Sequence, residues 1–181
     1  MGSMRSMGYT FESAIADIID NSISANCQNV HIFFPADPIH CYVSILDDGD
    51  GMSKDELLEA MRYGSTSSES VRSENDLGRF GLGLKAASLS QCRKLTVVSK
   101  KDNVLSAYRW DYDFIKENKN WDILELNSKE IKSLPTIESL LANAHGTLVI
   151  WEDFDVIDKS NNGQVYSTLC NYKSKIAQYV G

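Results

Sequence analysis

The stretch AIADIIDNSISAN, Ala14 to Asn26, decides how the rest of the chain reads. Taken as a helix, it places Phe11, Ile15, Ile18, Ile19, Ser22 and Ala25 on one stripe, the usual core-facing signature. Asp17 and Asn21 are one helical turn apart and lie one above the other on an adjacent face. A carboxylate and a carboxamide at the edge of an apolar stripe need partners, because burying them unpaired is costly. A solvated helix edge would explain the pair equally well if the helix stood alone. Three later stretches change its weight.

Working outward, Thr10 or Ser13 is placed to cap this helix. VHIFF (Val30–Phe34) and HCYVSIL (His40–Leu46) read as two strands of a hairpin, separated by Pro35 and Pro38. The second strand runs into DDGDGM, Asp47 to Met52. Ser53 followed by Glu56 is a capping box for a helix to about Arg62. An EF-hand loop is excluded here, because the helix starts before further oxygen ligands could appear. An Asp at a strand end beside a glycine turn is suited instead to accept a hydrogen bond from a base amino group.

GSTSSESVRSEND, Gly64 to Asp76, is almost free of apolar residues and reads as a mobile surface loop. GRFGLGLK, Gly78 to Lys85, then opens a helix to about Gln91. Glycines let backbone approach a ligand closely, and a helix N-terminus attracts anions, so a phosphate cradle is one reading; a tight helix entry is the other. A Rossmann turn is excluded because no strand immediately precedes the glycines, and a P-loop because no Lys-Ser or Lys-Thr follows at its spacing. KLTVVS and VLSAYRW flank a Lys-Lys-Asp-Asn turn as a hairpin, and WDILEL is a further strand candidate. Ser128 to Ala144 reads as helical with a break at Pro135, GTLVIW (Gly146–Trp151) as a buried strand, and Val165 to Val180 as an amphipathic helix. Thr147, at the head of its strand, points wherever Asp47 points if those two strands pair.

Composition sets the outer limits. With 181 residues, 43% of them hydrophobic, the chain is long enough for one domain with a real core. A net charge of -7 argues against a general grip on nucleic acid, which is expected only through domains outside this sequence. Cys27, Cys41, Cys92 and Cys170 are scattered without CxxC spacing, so reduced thiols, a cytoplasmic setting and no zinc site are expected. No apolar run is long enough for a membrane helix. The expected partition is a lead-in over residues 1–8 that is not part of the fold, a nucleotide-binding domain over 9–154, and a linking segment with a C-terminal helix over 155–181.

In order, these four stretches resemble the GHKL ATPases: gyrase's ATPase subunit, the ninety-kilodalton chaperone, histidine kinases, MutL-type repair proteins and MORC proteins. That family shows an acidic-x-x-x-Asn helix, Asp-x-Gly-x-Gly, a glycine-rich hinge and Gly-Thr. Here they are Asp17 to Asn21, Asp47 to Met52, Gly78 to Lys85, and Gly146-Thr147. GRFGLGLKAAS and YGSTS look closest to the MORC-like and MutL-like branches, and bacterial MORC-like ATPases share the ADxIDNS form of the helix.

The resemblance implies an α+β fold of the Bergerat type: a two-layer sandwich with a mixed, mostly antiparallel sheet and helices on one face. It implies ATP or ADP with Mg²⁺ as ligands. Asn21 would ligate Mg²⁺, Asp47 would accept the adenine amino hydrogen, and Thr147 would support the base. Gly51 and Met52 would line the adenine pocket. Gly78, Gly81, Leu82, Gly83, Leu84 and Lys85 would serve the phosphates, and Gly64 to Asp76 would be the ATP lid. Asp17 would be the catalytic base, and there the sequence departs from the Glu of most hydrolysing relatives, so slow turnover is expected. The family's transducer domain has no room after Trp151, so an isolated nucleotide-binding module of a larger protein, one that forms an ATP-dependent homodimer in its full length, is expected. A non-hydrolysing nucleotide switch and a histidine or serine kinase domain are the alternatives.

Overall fold

The computed structural model describes residues 9–62, 80–119, 122–154 and 162–179. In chain order the elements are α1 (Phe11–Ser24), β1 (Val30–Phe33), β2 (Tyr42–Asp47), α2 (Lys54–Met61), α3 (Phe80–Gln91), β3 (Lys94–Lys101), β4 (Val104–Asp111), α4 (Tyr112–Asn118), β5 (Leu124–Glu125), α5 (Ser128–Lys132), α6 (Ile137–Ala142), β6 (Gly146–Glu152) and α7 (Asn162–Tyr179). The six strands form one sheet in the order β1-β2-β6-β3-β4-β5. Every pairing in it is antiparallel. The last strand in sequence therefore inserts between β2 and β3.

Side-chain alternation divides the sheet into two faces. On one, Val43, Ile45, Leu95, Val97, Tyr108, Trp110, Val149 and Trp151 meet Phe11, Ile15 and Ile18 of α1, Leu57 and Met61 of α2, Leu84 and Ala87 of α3, and Val165 and Leu169 of α7. The ring of Phe11 stacks on Tyr172 at 4.3 Å and meets Trp151 edge-on at 5.7 Å, tying α1 to α7 and the sheet. The Trp110 indole donates to the Met61 carbonyl across 2.7 Å, satisfying the polar end of a fully buried ring. On the opposite face, Leu46, Val98, Ala107, Leu148 and Ile150 are covered by Leu126, just after β5, and by Ile131, Leu134, Ile137 and Leu140 of the short α5–α6 segment.

The end rules read from sequence hold locally. Thr10 caps α1 by accepting from the Ser13 amide at 3.1 Å. Ser53 and Glu56 form the capping box of α2. Helix α4 is an addition: Asp111 caps it through the amides of Asp113 and Phe114. The strand expected over WDILEL is only the Leu124–Glu125 pair, and residues 120–121 lie outside the described residues. The glycines expected to precede a helix are partly inside it, since α3 already includes Gly81 and Gly83. No helix among the described residues is long and apolar enough to cross a membrane.

Candidate functional site

One row of the sheet carries the site. Asp47 stands opposite Thr147, Thr147 opposite Ser99, and Ser99 opposite Ser106, across β2, β6, β3 and β4. All four are buried, on the face that packs against the main helix layer. The next row inward is wholly apolar or aromatic: Ile45, Val149, Val97 and Tyr108. The sheet therefore changes from core to polar floor within one pleat.

Asp47 is 6% exposed. Its Oδ2 accepts from Ser22 Oγ at 2.9 Å. Its Oδ1 accepts from the amides of Gly49 at 3.0 Å and Thr147 at 3.1 Å. Burial pushes its carboxyl above the ordinary range, and these three donors pull the other way. A carboxylate has about four acceptor positions, so three donors leave one for a ligand.

The Asp-Gly-Asp-Gly turn is fixed from both sides. Asp48 accepts from the amides of Gln28 and Asn29 and from Asn29 Nδ2, at 2.7–2.8 Å, and its carboxyl is pulled down to about 2 by those hydrogen bonds, the Asn29 side chain first. Asp50 takes a 2.7 Å hydrogen bond from Asn26. His145 Nδ1 donates to the Gly49 carbonyl, since a carbonyl only accepts. Gly51 sits at φ +68, and a Cβ there would come within 2.2 Å of the Lys100 carbonyl oxygen, so only glycine lets the turn lie on β3. The Met52 amide then donates to Ser99 Oγ at 2.7 Å.

On α1, Asp17 is half-buried and its Oδ2 accepts from the Tyr9 hydroxyl at 2.9 Å. Asn21 Nδ2 is buried with no hydrogen-bond partner among the described residues. That orphan fits a charged ligand. In one orientation the carboxamide donates to a phosphate oxygen; in the other it offers its oxygen to a cation. Among the described residues no group of three or more His, Cys, Asp or Glu could hold a metal ion. Among the described residues, nothing lies within 4 Å of where a Gly83 Cβ would stand.

Asp47, Thr147 and Met52 are joined directly by hydrogen bonds or through Ser99, Gly51 packs on the Lys100 carbonyl beside them, and Ser22 ties Asp47 to the helix carrying Asp17 and Asn21. Gly81, Leu82, Gly83, Leu84 and Lys85 lie in α3. Leu84 belongs to the same core cluster as the apolar residues of α1. Lys85 is fully buried, its Nζ donates to the Arg62 carbonyl, and burial pushes its pKa down. Gly78 and the Gly64 to Asp76 segment lie outside the described residues. Ser22 was read only as a member of the apolar stripe of α1, and Ser99 only as the end of a strand. Tyr9 and His145 carried no signal of their own.

A family model described as histidine kinase-, DNA gyrase B-, and HSP90-like ATPase matches residues 9–147, and the chain belongs to that family. Members of this family bind adenine nucleotides. The chain is 35% identical over 95 residues to the ATPase morc-1 of Caenorhabditis elegans, covering 52% of this chain and 11% of that protein. It is 34% identical over 101 residues to the DNA mismatch repair protein MutL of Colwellia psychrerythraea, covering 54% and 15%. It is 28% identical over 102 residues to the chaperone protein HtpG of Clostridium acetobutylicum, covering 52% and 16%. The match thus spans less than a fifth of each of these relatives.

Proposed function

We propose that this chain is a Mg²⁺-dependent ATP-binding module that hydrolyses ATP slowly, and that in a longer protein nucleotide binding is coupled to dimerisation. The observation that carries the reading is the buried Asp47 carboxylate with one acceptor position left over. An acceptor-only group selects the amino edge of adenine over the carbonyl of guanine. The unpaired Asn21 Nδ2, and the lack of any described neighbour at a Gly83 Cβ, support triphosphate and Mg²⁺ alongside. The cation would neutralise phosphate charge when bound, held from the protein side by Asn21. The unpaired backbone amides in the first turn of α3, at Gly81 to Gly83, would face the phosphates, with Leu84 and Lys85 anchoring that turn in the core. Asp17, one turn from Asn21, would orient or deprotonate the attacking water.

The test is calorimetry with ATP and GTP in Mg²⁺, on the wild type and Asp47→Asn. ATP should bind more tightly, and Asp47→Asn should weaken it by about 1.5–3 kcal/mol, the range for a hydrogen bond to a charged group. Equal affinities for the two nucleotides would remove the assignment. Incubation with γ-labelled ATP separates the hydrolase from its rivals: released phosphate supports it, whereas no turnover indicates a switch and labelled protein a kinase.

A further inference from the structure

Ser99 lies at the centre of three contacts, and only one arrangement of hydrogens serves all three. The Met52 amide donates to Ser99 Oγ at 2.7 Å, because an amide nitrogen cannot accept. The Gly146 carbonyl lies 3.2 Å from Ser99 Oγ and can only accept, so Ser99 spends its one proton there. Thr147 Oγ1 is 3.1 Å from Ser99 Oγ. With the serine proton committed, the threonine hydroxyl must be the donor in that contact. Were Ser99 to donate to Thr147 instead, the Gly146 contact would hold no proton. Ser99 is completely buried, so water does not offer an alternative partner from bulk.

The consequence reaches the ligand. A hydroxyl whose proton is turned toward Ser99 shows only lone pairs in its other directions. Thr147 stands directly opposite Asp47 in the sheet, and its amide already binds Asp47 Oδ1. We propose that Ser99 is a specificity-determining residue: it fixes the Thr147 hydroxyl as an acceptor beside the Asp47 carboxylate, and the two acceptors together read the two hydrogens of an exocyclic amino group. This rests on the proposed binding of adenine at Asp47. No step of hydrolysis is involved, so the readout is binding alone.

The probe pair is ATP and purine riboside triphosphate, which lacks the 6-amino group and keeps the acceptor at N1. Calorimetry in Mg²⁺ gives the affinity ratio of the two for each protein. In the wild type ATP should be strongly preferred. Ser99→Ala frees the Thr147 hydroxyl to rotate and donate, so the preference should shrink by about tenfold, the equivalent of one hydrogen bond. Ser99→Cys keeps the volume with a poor acceptor and should fall in the same direction; it serves if Ser99→Ala does not fold. In a Thr147→Val background, Ser99→Ala should leave the ratio unmoved. A Ser99 that merely packs would weaken both nucleotides in parallel and keep the ratio, which overturns the proposal. A wild type that binds the two equally would instead overturn the adenine assignment itself, so the two failures are distinguishable.

Discussion

The Tyr9 hydroxyl donates to Asp17 Oδ2 across 2.9 Å, from the residue just ahead of the α1 cap to the second turn of the helix. The pair raises the Tyr9 phenol above its ordinary 10, the Asp17 hydrogen bond being the largest cause. Tyr9 therefore holds in place the carboxylate that we propose orients the attacking water. Tyr9→Phe should lower kcat by about ten- to a hundredfold through a loosened Asp17, with nucleotide Kd unchanged. Asp17→Asn should bring the phenol back down, read as the difference between ultraviolet phenolate titrations with and without Tyr9. The pair's contribution to stability is full below the unfolded phenol's pKa and is lost as pH rises through the raised folded value. A Tyr9→Phe rate equal to wild type would separate Tyr9 from the chemistry.

Asp17→Ala should nearly abolish turnover while keeping nucleotide affinity, and Asp17→Glu should keep or raise the rate by restoring the longer reach. Asn21→Ala should lose the Mg²⁺-dependent part of binding. Turnover per folded molecule and melting temperature, measured on the same preparations, decide the first point. A lower melting temperature with an unchanged rate would reduce Asp17 to a structural partner of Tyr9.

Two glycines should respond in opposite ways. Gly51→Ala places a side chain in the left-handed region, costing about 1–2 kcal/mol, and drives it into the Lys100 carbonyl, so both stability and binding should fall. Gly83→Ala meets nothing described in the protein and improves helix propensity by about 0.8–1.0 kcal/mol. It should raise the melting temperature of the free protein and weaken ATP. Unchanged ATP affinity in Gly83→Ala would place the phosphates elsewhere.

His145 offers an isostere test. The Asn amide nitrogen reproduces the position of Nδ1, whereas that of Gln reproduces Nε2. His145→Asn should therefore keep its bond to the Gly49 carbonyl and most of the ATP affinity, while His145→Gln and His145→Ala should both lose it. Equal losses in all three would show that the ring, and not its Nδ1 hydrogen, is what the turn needs.

Acid should loosen the same turn and the cap of α2 that follows it. Asp48 and Glu56 both titrate at about 2, Asp48 through Asn29 and Gln28, Glu56 through Lys101 first and then the Ser53 cap. Their folded values are depressed, so the stability they confer is present above the unfolded carboxyl pKa and is lost as pH falls toward the folded value. The melting-temperature gap between wild type and the Asp48→Asn, Glu56→Gln double variant should be largest near neutrality and close in acid. A constant gap down to pH about 2 would mean the charges are not what the contacts use.

Much of this architecture could be read from residue order, because the strong signals were local. Thr10, Ser53 and the apolar stripe of α1 each act within a turn or two. The strand around Thr147 could be read as buried, but its insertion between β2 and β3 could not, since that neighbourhood is set by packing across a hundred residues of sequence. For the same reason Asp47 was legible as a candidate acceptor, whereas its Ser22 donor was read only as part of a core stripe. The glycines of α3 misled in position: Gly81 and Gly83 carry poor helix propensity, yet tertiary packing of Leu84 and Ala87 against α1 keeps the helix running through them. Ser99 was hidden because its significance lies in which hydrogens its neighbours hold.

The row from Asp47 through Thr147 and Ser99 to Ser106 also governs which length changes this chain can absorb. One residue inserted within β2, β6, β3 or β4 slips that strand's register and turns its remaining side chains to the opposite face of the sheet. An insertion that shifted Asp47 against Thr147 would thus remove the site and expose core residues together. The stretch between β1 and β2, with Ala36, Asp37, Ile39 and His40 exposed, carries no such constraint. Within these four strands, diversification proceeds by substitution, whereas insertion and deletion belong to connecting segments such as the one between β1 and β2.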